Sequence, residues 1–291
     1  CGVNGLYSGW CVGMLLRGDP SSMSRAVFRV SAGVLVGVLV LLATALALSR
    51  YYLVEELRLV AAGDLRGALE ATRTAARLDP FDPDPLESES FILRQQGKYE
   101  AAAGSLREAI ERDPNNYSPY LLLGDLQATG LKDLKAAAES YREALRLDPN
   151  ATLAQSALAQ ILTKQGKLEE AREEYESLEE KVSLSFQGLY DLGRIEVRTG
   201  DPRDGLRHIK RARREARAAL EGLNGPLRER QEALVASVDL AVVDALVVLG
   251  RYDQARKILA KSPSEQAPGL LELLDSDPGA YREQVVNSDV Y

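Results

Sequence analysis

The chain has 291 residues, of which 45% are hydrophobic, 27% charged and 6% aromatic, a composition that suits a folded protein and not a disordered one. Its formal net charge of −7 gives no footing for nucleic-acid binding. Two cysteines, Cys1 and Cys11, and one histidine, His208, exclude a disulfide framework, a cysteine-rich zinc site and any site that needs two imidazoles.

Residues 1–16 carry no charge, and Gly5, Gly9 and Gly13 recur at the four-residue spacing that lets membrane helices approach closely. Residues 17–29 hold Arg17, Arg25 and Arg29 against one acid, Asp19. Val30 to Leu48 is then free of charge. At about 1.5 Å per residue it spans roughly 28 Å, close to a bilayer core. Arg29 and Arg50 bracket it, and Tyr51 and Tyr52 stand where interfacial aromatics belong. The pattern predicts a membrane region over 1–48: a partial span at 1–16, a short basic loop at 17–29 and a transmembrane helix at 30–48. Three accounts of the start stay open. The chain begins inside a membrane helix, or Met23 is the true start and 30–48 a signal anchor, or Cys1 is a lipidated terminus. Short loops carry the positive-inside signal, so the loop is expected in the cytoplasm, with everything after Leu48 on the outer side of the cell membrane.

Beyond the span the chain is periodic. Pro80 and Pro114 are 34 residues apart and Pro149 follows after 35. Gly63, Gly97, Gly166 and Gly200 mark the same period, with Gly130 slightly out of step. Glycine is expected to close the first helix of each unit, because a left-handed cap is cheap only there. Leu65, Tyr99 and Leu168 pack back on the helix pair. Ala68, Ala102, Ala137 and Ala171 let two helices touch, and Ala75, Ala109 and Ala144 do so one face further on. Asp-Pro then stops the second helix, since proline lacks the N–H and disfavours helix in the residue before it. The fold class predicted is all-α.

These phrases resemble the tetratricopeptide repeat family. The unit beginning at Tyr117 shows it best, with Tyr120, Leu123 and Gly124 followed by Ala137, Tyr141, Ala144 and Pro149, and one extra residue between the glycine and the first alanine. Six units centre on Gly63, Gly97, Gly130, Gly166, Gly200 and Gly250, covering about residues 49–262. The fifth is degenerate: Gly205 replaces the usual alanine and Pro202 the bulky residue. The resemblance implies an α-solenoid with a concave groove, in which stacking buries what one unit cannot bury alone. No linker separates the membrane segment from the first unit, so its helix is expected to run on toward Ala62. The 50 residues between Gly200 and Gly250 predict two long helices, about Pro202–Gly222 and Pro226–Leu249. Residues 263–291 are expected to form a cap and tail, with short helices at 269–274 and 278–286 over the last apolar face.

Two charged clusters face each other in sequence: seven glutamates within 169–180 and seven bases within 203–217. As second helices of adjacent repeats they predict cross-repeat ion pairs, each worth about 0–1 kcal/mol, with Arg207 and Lys210 facing the glutamates. Arg213, Arg214 and Arg217 lie past them and are a candidate anion-binding protrusion for anionic lipid or glycan. First-helix positions of the fourth and fifth units give the candidate groove contacts Gln160, Lys164, Tyr190, Arg194 and Arg198, which suit a protein or peptide partner. The lysine-and-asparagine clamp of chaperone-binding members is not recognisable. His208 has no Ser, Cys or second His near it and is expected on a helix surface. With no glycine-rich phosphate loop and no metal-ligand spacing, neither a cofactor nor a catalytic residue is assigned.

Two functions fit. One is a membrane-anchored interaction or scaffold module that is not an enzyme in the residues present. The other rests on layout: the apolar GLYSGWCVGMLL end, the basic loop 17–29, the span 30–48 and RYYLVEELRLV leading into repeats resemble the C-terminal end of bacterial O-antigen ligase or polymerase relatives. That likeness implies catalytic loops upstream of this chain.

Overall fold

The computed structural model describes residues 20–290, with side chains from residue 31. The partial span 1–16 and its glycine spacing lie outside the described residues. Among the described residues the regular structure is fourteen α-helices and one π-turn, with no strand. The chain divides into two compact units at Ile92/Leu93.

In the first unit, α1 runs unbroken from Pro20 to Ala61. The stretch 20–29, expected as loop, is its opening: Pro20 sits where a missing N–H costs nothing, and no glycine or proline follows before Gly33. The helix continues through Ser49–Tyr52 as expected. Ser31–Ala61 is long and apolar enough to cross a membrane, a property that signal sequences share, and its most apolar window is wholly uncovered by protein. Past Ser49 the same helix packs on α2, Leu65–Leu78. Ser49 is buried and its hydroxyl donates to the Ala75 carbonyl at 3.1 Å. Ala68 and Ala75 are fully buried on the facing side. Gly63, at φ 78, closes α1. Arg50 reaches Asp82 at 3.4 Å and Asp84, the first residue of α3 (Asp84–Gln95), at 3.5 Å.

The second unit holds α4 Tyr99–Arg112, α5 Ser118–Leu126, α6 Leu134–Leu147, α7 Thr152–Lys164, α8 Leu168–Lys181, α9 Phe186–Thr199, α10 Pro202–Ala218, α11 Gly225–Val248, α12 Tyr252–Leu259, α13 Ala267–Ser276 and α14 Pro278–Asn287. Each of these helices packs on the next. Ala102, Ala137 and Ala171 are fully buried where first and second helices meet, and so are Ala109 and Ala144. Asp113 and Asp148 end α4 and α6 in extended conformation, as a following proline requires. Their carboxylates accept from the amides of Asn115 (3.2 Å) and Asn150 (2.9 Å), which turns the chain toward the next helix.

The third unit departs from expectation. Gly130 does not cap its first helix; Lys132 does, at φ 60. The extra residue is absorbed as a π-turn, Gln127–Leu131, that lengthens α5. Gly130 lies inside that turn against the Tyr99 ring, where a Cβ would come within 2.6 Å of a ring carbon. With Lys132 in place of Gly130, the left-handed caps fall at 63, 97, 132, 166 and 200.

The fifth unit departs from the usual pattern for a steric reason. A Cβ on Gly205 would stand 2.6 Å from the Gly193 carbonyl oxygen, and one on Gly193 would stand 2.8 Å from that of Gly205. Glycine replaces alanine here because α9 and α10 cross backbone to backbone. The long helices also differ from the forecast. α10 has 17 residues and ends at Ala218, because Gly222 and Gly225 turn the chain with φ 78 and 57. α11, with 24 residues, takes most of the added length. The two short terminal helices form where expected.

Overpacking at the alanine contacts is expected to destabilise the fold by about 1–3 kcal/mol for Ala102→Leu or Ala137→Leu. Gly205→Ala should behave likewise. Arg207 is exposed and pairs with Asp204 on its own helix at 2.7 Å, so Arg207→Ala should change stability by less than about 0.5 kcal/mol. Urea denaturation followed by circular dichroism separates the two groups, and indistinguishable midpoints would mean that the helix pairing is out of register.

Candidate functional site

The first helices α7, α9 and α11 pack side by side, α7 on α9 and α9 on α11. On α9, residues 186, 190, 194 and 198 step by four and so climb one face. The Phe186 and Tyr190 rings stack at 6.0 Å with an interplanar angle of 6°. The Arg194 guanidinium lies 5.1 Å from the Tyr190 ring centroid, a cation–π contact. Arg198 donates to the Arg194 carbonyl at 3.0 Å. Of the predicted groove residues, then, Tyr190, Arg194 and Arg198 form one ladder. Gln160, half-buried, and Lys164, exposed, lie on the neighbouring helix α7.

Opposite the ladder, α11 supplies Ser237 and Asp244. Burial pushes the Tyr190 hydroxyl above its ordinary range, opposed by the nearby Arg194. Burial also pushes Asp244 above the ordinary carboxylate range, opposed by a hydrogen bond from Tyr281 and by the charges of Arg198 and Arg194. Arg198 is pushed down, first by burial and then by Arg194 beside it. The face thus offers a stacked aromatic pair, two guanidinium groups and an enclosed carboxylate. Groups of these kinds can hydrogen-bond backbone carbonyls and hydroxyls and stack on aromatic side chains.

The face is already covered. α14 packs on α9 and α11. The Tyr281 hydroxyl donates to Asp244 at 3.0 Å. Arg198 donates to the Ser288 carbonyl and hydroxyl, each at 3.0 Å. The tail lies over the last apolar face as expected, with Tyr281 and Val285 in the cluster built on α11 and α12, and it also reaches α9, where Arg198 bonds Ser288.

His208 is not a surface residue. It is 3% exposed, with Nδ1 at 2.6 Å from Glu196 and Nε2 at 3.3 Å from Glu179. Burial pushes the Glu196 carboxyl up, partly offset by the His208 hydrogen bond. The glutamate and arginine clusters do meet, but through Arg211, which bonds Glu179 at 2.5 Å, and not through Arg207. The protrusion is largely neutralised: Arg213 and Arg217 both engage Asp239 of α11, Arg217 at 3.1 Å, which leaves the exposed Arg214. Among the described residues no group of three His, Cys, Asp or Glu is placed to hold a metal ion.

Sequence reasoning missed Phe186, Ser237, Asp244, Tyr281 and Ser288. Stepping back four residues from Tyr190 along α9 finds Phe186. The others sit on other elements and carry no local signal.

Residues 92–152 and 128–183 match two models of the tetratricopeptide repeat, so this part of the chain carries tetratricopeptide repeats. Among solved structures it is similar to pilF of Pseudomonas aeruginosa, at 15% identity over 83% of this chain and 97% of that one, with a TM-score of 0.56. It is also similar to a tetratricopeptide repeat protein of Parabacteroides merdae, at 16% identity over 82% and 90% of the two chains, with a TM-score of 0.55. MamA of Desulfovibrio magneticus matches at 20% identity over 58% and 96%, with a TM-score of 0.51. Identities this low speak for the fold alone. No curated protein matches significantly. The O-antigen ligase layout finds no support in the matched models.

The raised Asp244 sets a pH dependence. A carboxyl whose folded value lies above its unfolded one contributes stability that is present below the ordinary value, 3.8, and lost as pH rises through the folded value. Asp244→Asn has no such proton to lose and keeps an acceptor for Tyr281. The melting temperature of the unmodified chain relative to Asp244→Asn should therefore fall as pH rises from below 3.8 to neutrality. A flat or rising difference, read by scanning calorimetry at matched salt, would show that Arg194 and Arg198 outweigh burial.

Proposed function

We propose that the chain is a membrane-anchored interaction module that holds a protein segment on the first-helix face of its repeats. The observation that carries this is the Phe186–Tyr190–Arg194–Arg198 ladder facing Asp244, an arrangement of aromatic and charged groups on a repeat fold. Gln160 and Lys164 extend the face along α7. The anchor is α1. Its apolar side chains over 34–48 are exposed all round, Leu41 at 70% and Val34 at 63%, and burying such surface in lipid is favourable by about 25 cal/mol per Å². The arginines of 17–29 favour an outer location for the repeats. Arg214 is the remaining candidate for contact with anionic lipid or glycan.

A photo-crosslinking amino acid at position 164 or 194 of the full chain tests the reading in native membranes. Intermolecular protein adducts are expected from both positions and not from position 207 on the solvated face of α10. Equal labelling at all three, or none at 164 and 194, would sink it. Alkaline carbonate extraction checks the anchor: the unmodified chain should stay with the membrane pellet.

A further inference from the structure

Residues 278–290 make few but specific contacts. Along this stretch the fully covered side chains are Tyr281 (1% exposed), Val285 (3%) and Val290 (1%), spaced by four and five residues. Tyr281 and Val285 belong to the apolar cluster built on α11, with Val242 and Leu246. Val290 belongs to a different cluster, with Leu158 and Leu162 of α7 and Leu189 and Leu192 of α9. The segment therefore crosses α11, α9 and α7 in turn. α14 ends at Asn287, and Ser288 is extended at φ −79 and ψ 149, which presents its carbonyl and hydroxyl to Arg198.

A structural cap needs only apolar surface. Here the face commits an enclosed carboxylate and a half-buried guanidinium, Asp244 and Arg198, whose hydrogen-bond partners are a tyrosine hydroxyl and a serine on the tail. Removing the partner of such a group leaves it uncompensated, so the arrangement favours an occupant that supplies both partners. Arg282, Glu283 and Gln284 on the same helix are exposed, so the remaining surface of α14 contributes little to holding it. A ten-residue helix is too short to persist without its docking site.

We infer that residues 278–290 are an intramolecular occupant of the first-helix face, and that the partner is a protein segment that replaces them by reproducing their chemistry. Such a segment is a short helix with a tyrosine for Asp244 and an aliphatic residue one turn later. An extended carbonyl and hydroxyl then meet Arg198, followed by a second aliphatic residue for the Leu158–Leu192 cluster. The inference rests on the proposed function and adds the partner's chemistry and its competition with the tail. The recognition is of the helix-in-groove kind, ending in an extended anchor.

The test uses the full chain and a fluorescent synthetic peptide of residues 277–291. The variant Tyr281→Ala with Val285→Ser weakens the tail in place and should bind the peptide at least tenfold tighter than the unmodified chain. Adding Arg198→Gln to that variant should reverse the gain at least tenfold. Equal peptide affinity of the unmodified and tail-weakened chains, or no binding by a tail-weakened chain that keeps its helical circular dichroism, would overturn the inference. If the tail-weakened chain does not fold, hydrogen exchange on the unmodified chain decides. Amides of 281–290 that exchange faster than those of α9 support a displaceable tail, and amides that exchange together with α9 overturn it. A protein crosslinked at 164 or 194 with no peptide binding would leave the proposed function standing and remove only the tail's role.

Discussion

Everything in the repeat depends on one local constraint: a left-handed cap set five residues before a fully buried small residue. Gly63 precedes Ala68, Gly97 precedes Ala102, Gly166 precedes Ala171 and Gly250 precedes Ala255 at that same distance. The cap reverses the chain, and the small residue lets the returning helix touch the first. Lengthening the stretch between them would rotate the second helix by about 100° per residue and turn its alanine face away. The third unit shows how strongly the spacing is held. Its extra residue enters upstream as a π-turn, and Lys132 takes a left-handed conformation that L side chains disfavour. Gly130, the residue suited to a cap, is used instead to admit the Tyr99 ring.

The fifth unit presses the same constraint further. Gly205 follows Gly200 at the usual distance, but meets Gly193 so closely that neither position has room for a Cβ. The close crossing draws α9 and α10 together beside the buried His208–Glu196 pair, and His208 also approaches Glu179 of α8 at 3.3 Å. α9 is thus gripped from behind. Its opposite face, bearing Tyr190, Arg194 and Arg198, is presented by a helix with little freedom to tilt.

What was legible in the amino-acid sequence was whatever is decided within one helical turn or one helix pair. Asp113-Pro114 and Asp148-Pro149 announce helix ends because proline's effect is local. Ala102 and Ala137 announce contacts because their smallness recurs with the period. Tyr190, Arg194 and Arg198 were legible as first-helix positions of the fifth unit. His208 was not, because its two carboxylates come from different helices and nothing near it in the chain signals burial. Arg213 and Arg217 looked unpaired for the same reason: Asp239 lies on α11, beyond a turn whose geometry is set by Gly222 and Gly225. The covering of the groove was illegible too, since it depends on Tyr281 and Ser288 meeting Asp244 and Arg198 after two further helices.

α1 changes character at Ser49. Up to Leu48 its apolar side chains are exposed on every side, so no face distinguishes itself and the composition is suited to lipid. At Ser49 a buried hydroxyl bonds the Ala75 carbonyl, and Glu56 is buried two turns further on along the same face. From that point the helix has an inside and an outside. Tyr51, 61% exposed, lies on the outer side at the changeover. Because the backbone hydrogen bonds run unbroken through the changeover, bending there would cost several of them. The apolar stretch and the first helix of the first unit are therefore a single rod, and α2, held to it by Ala68 and Ala75, takes its direction from that rod.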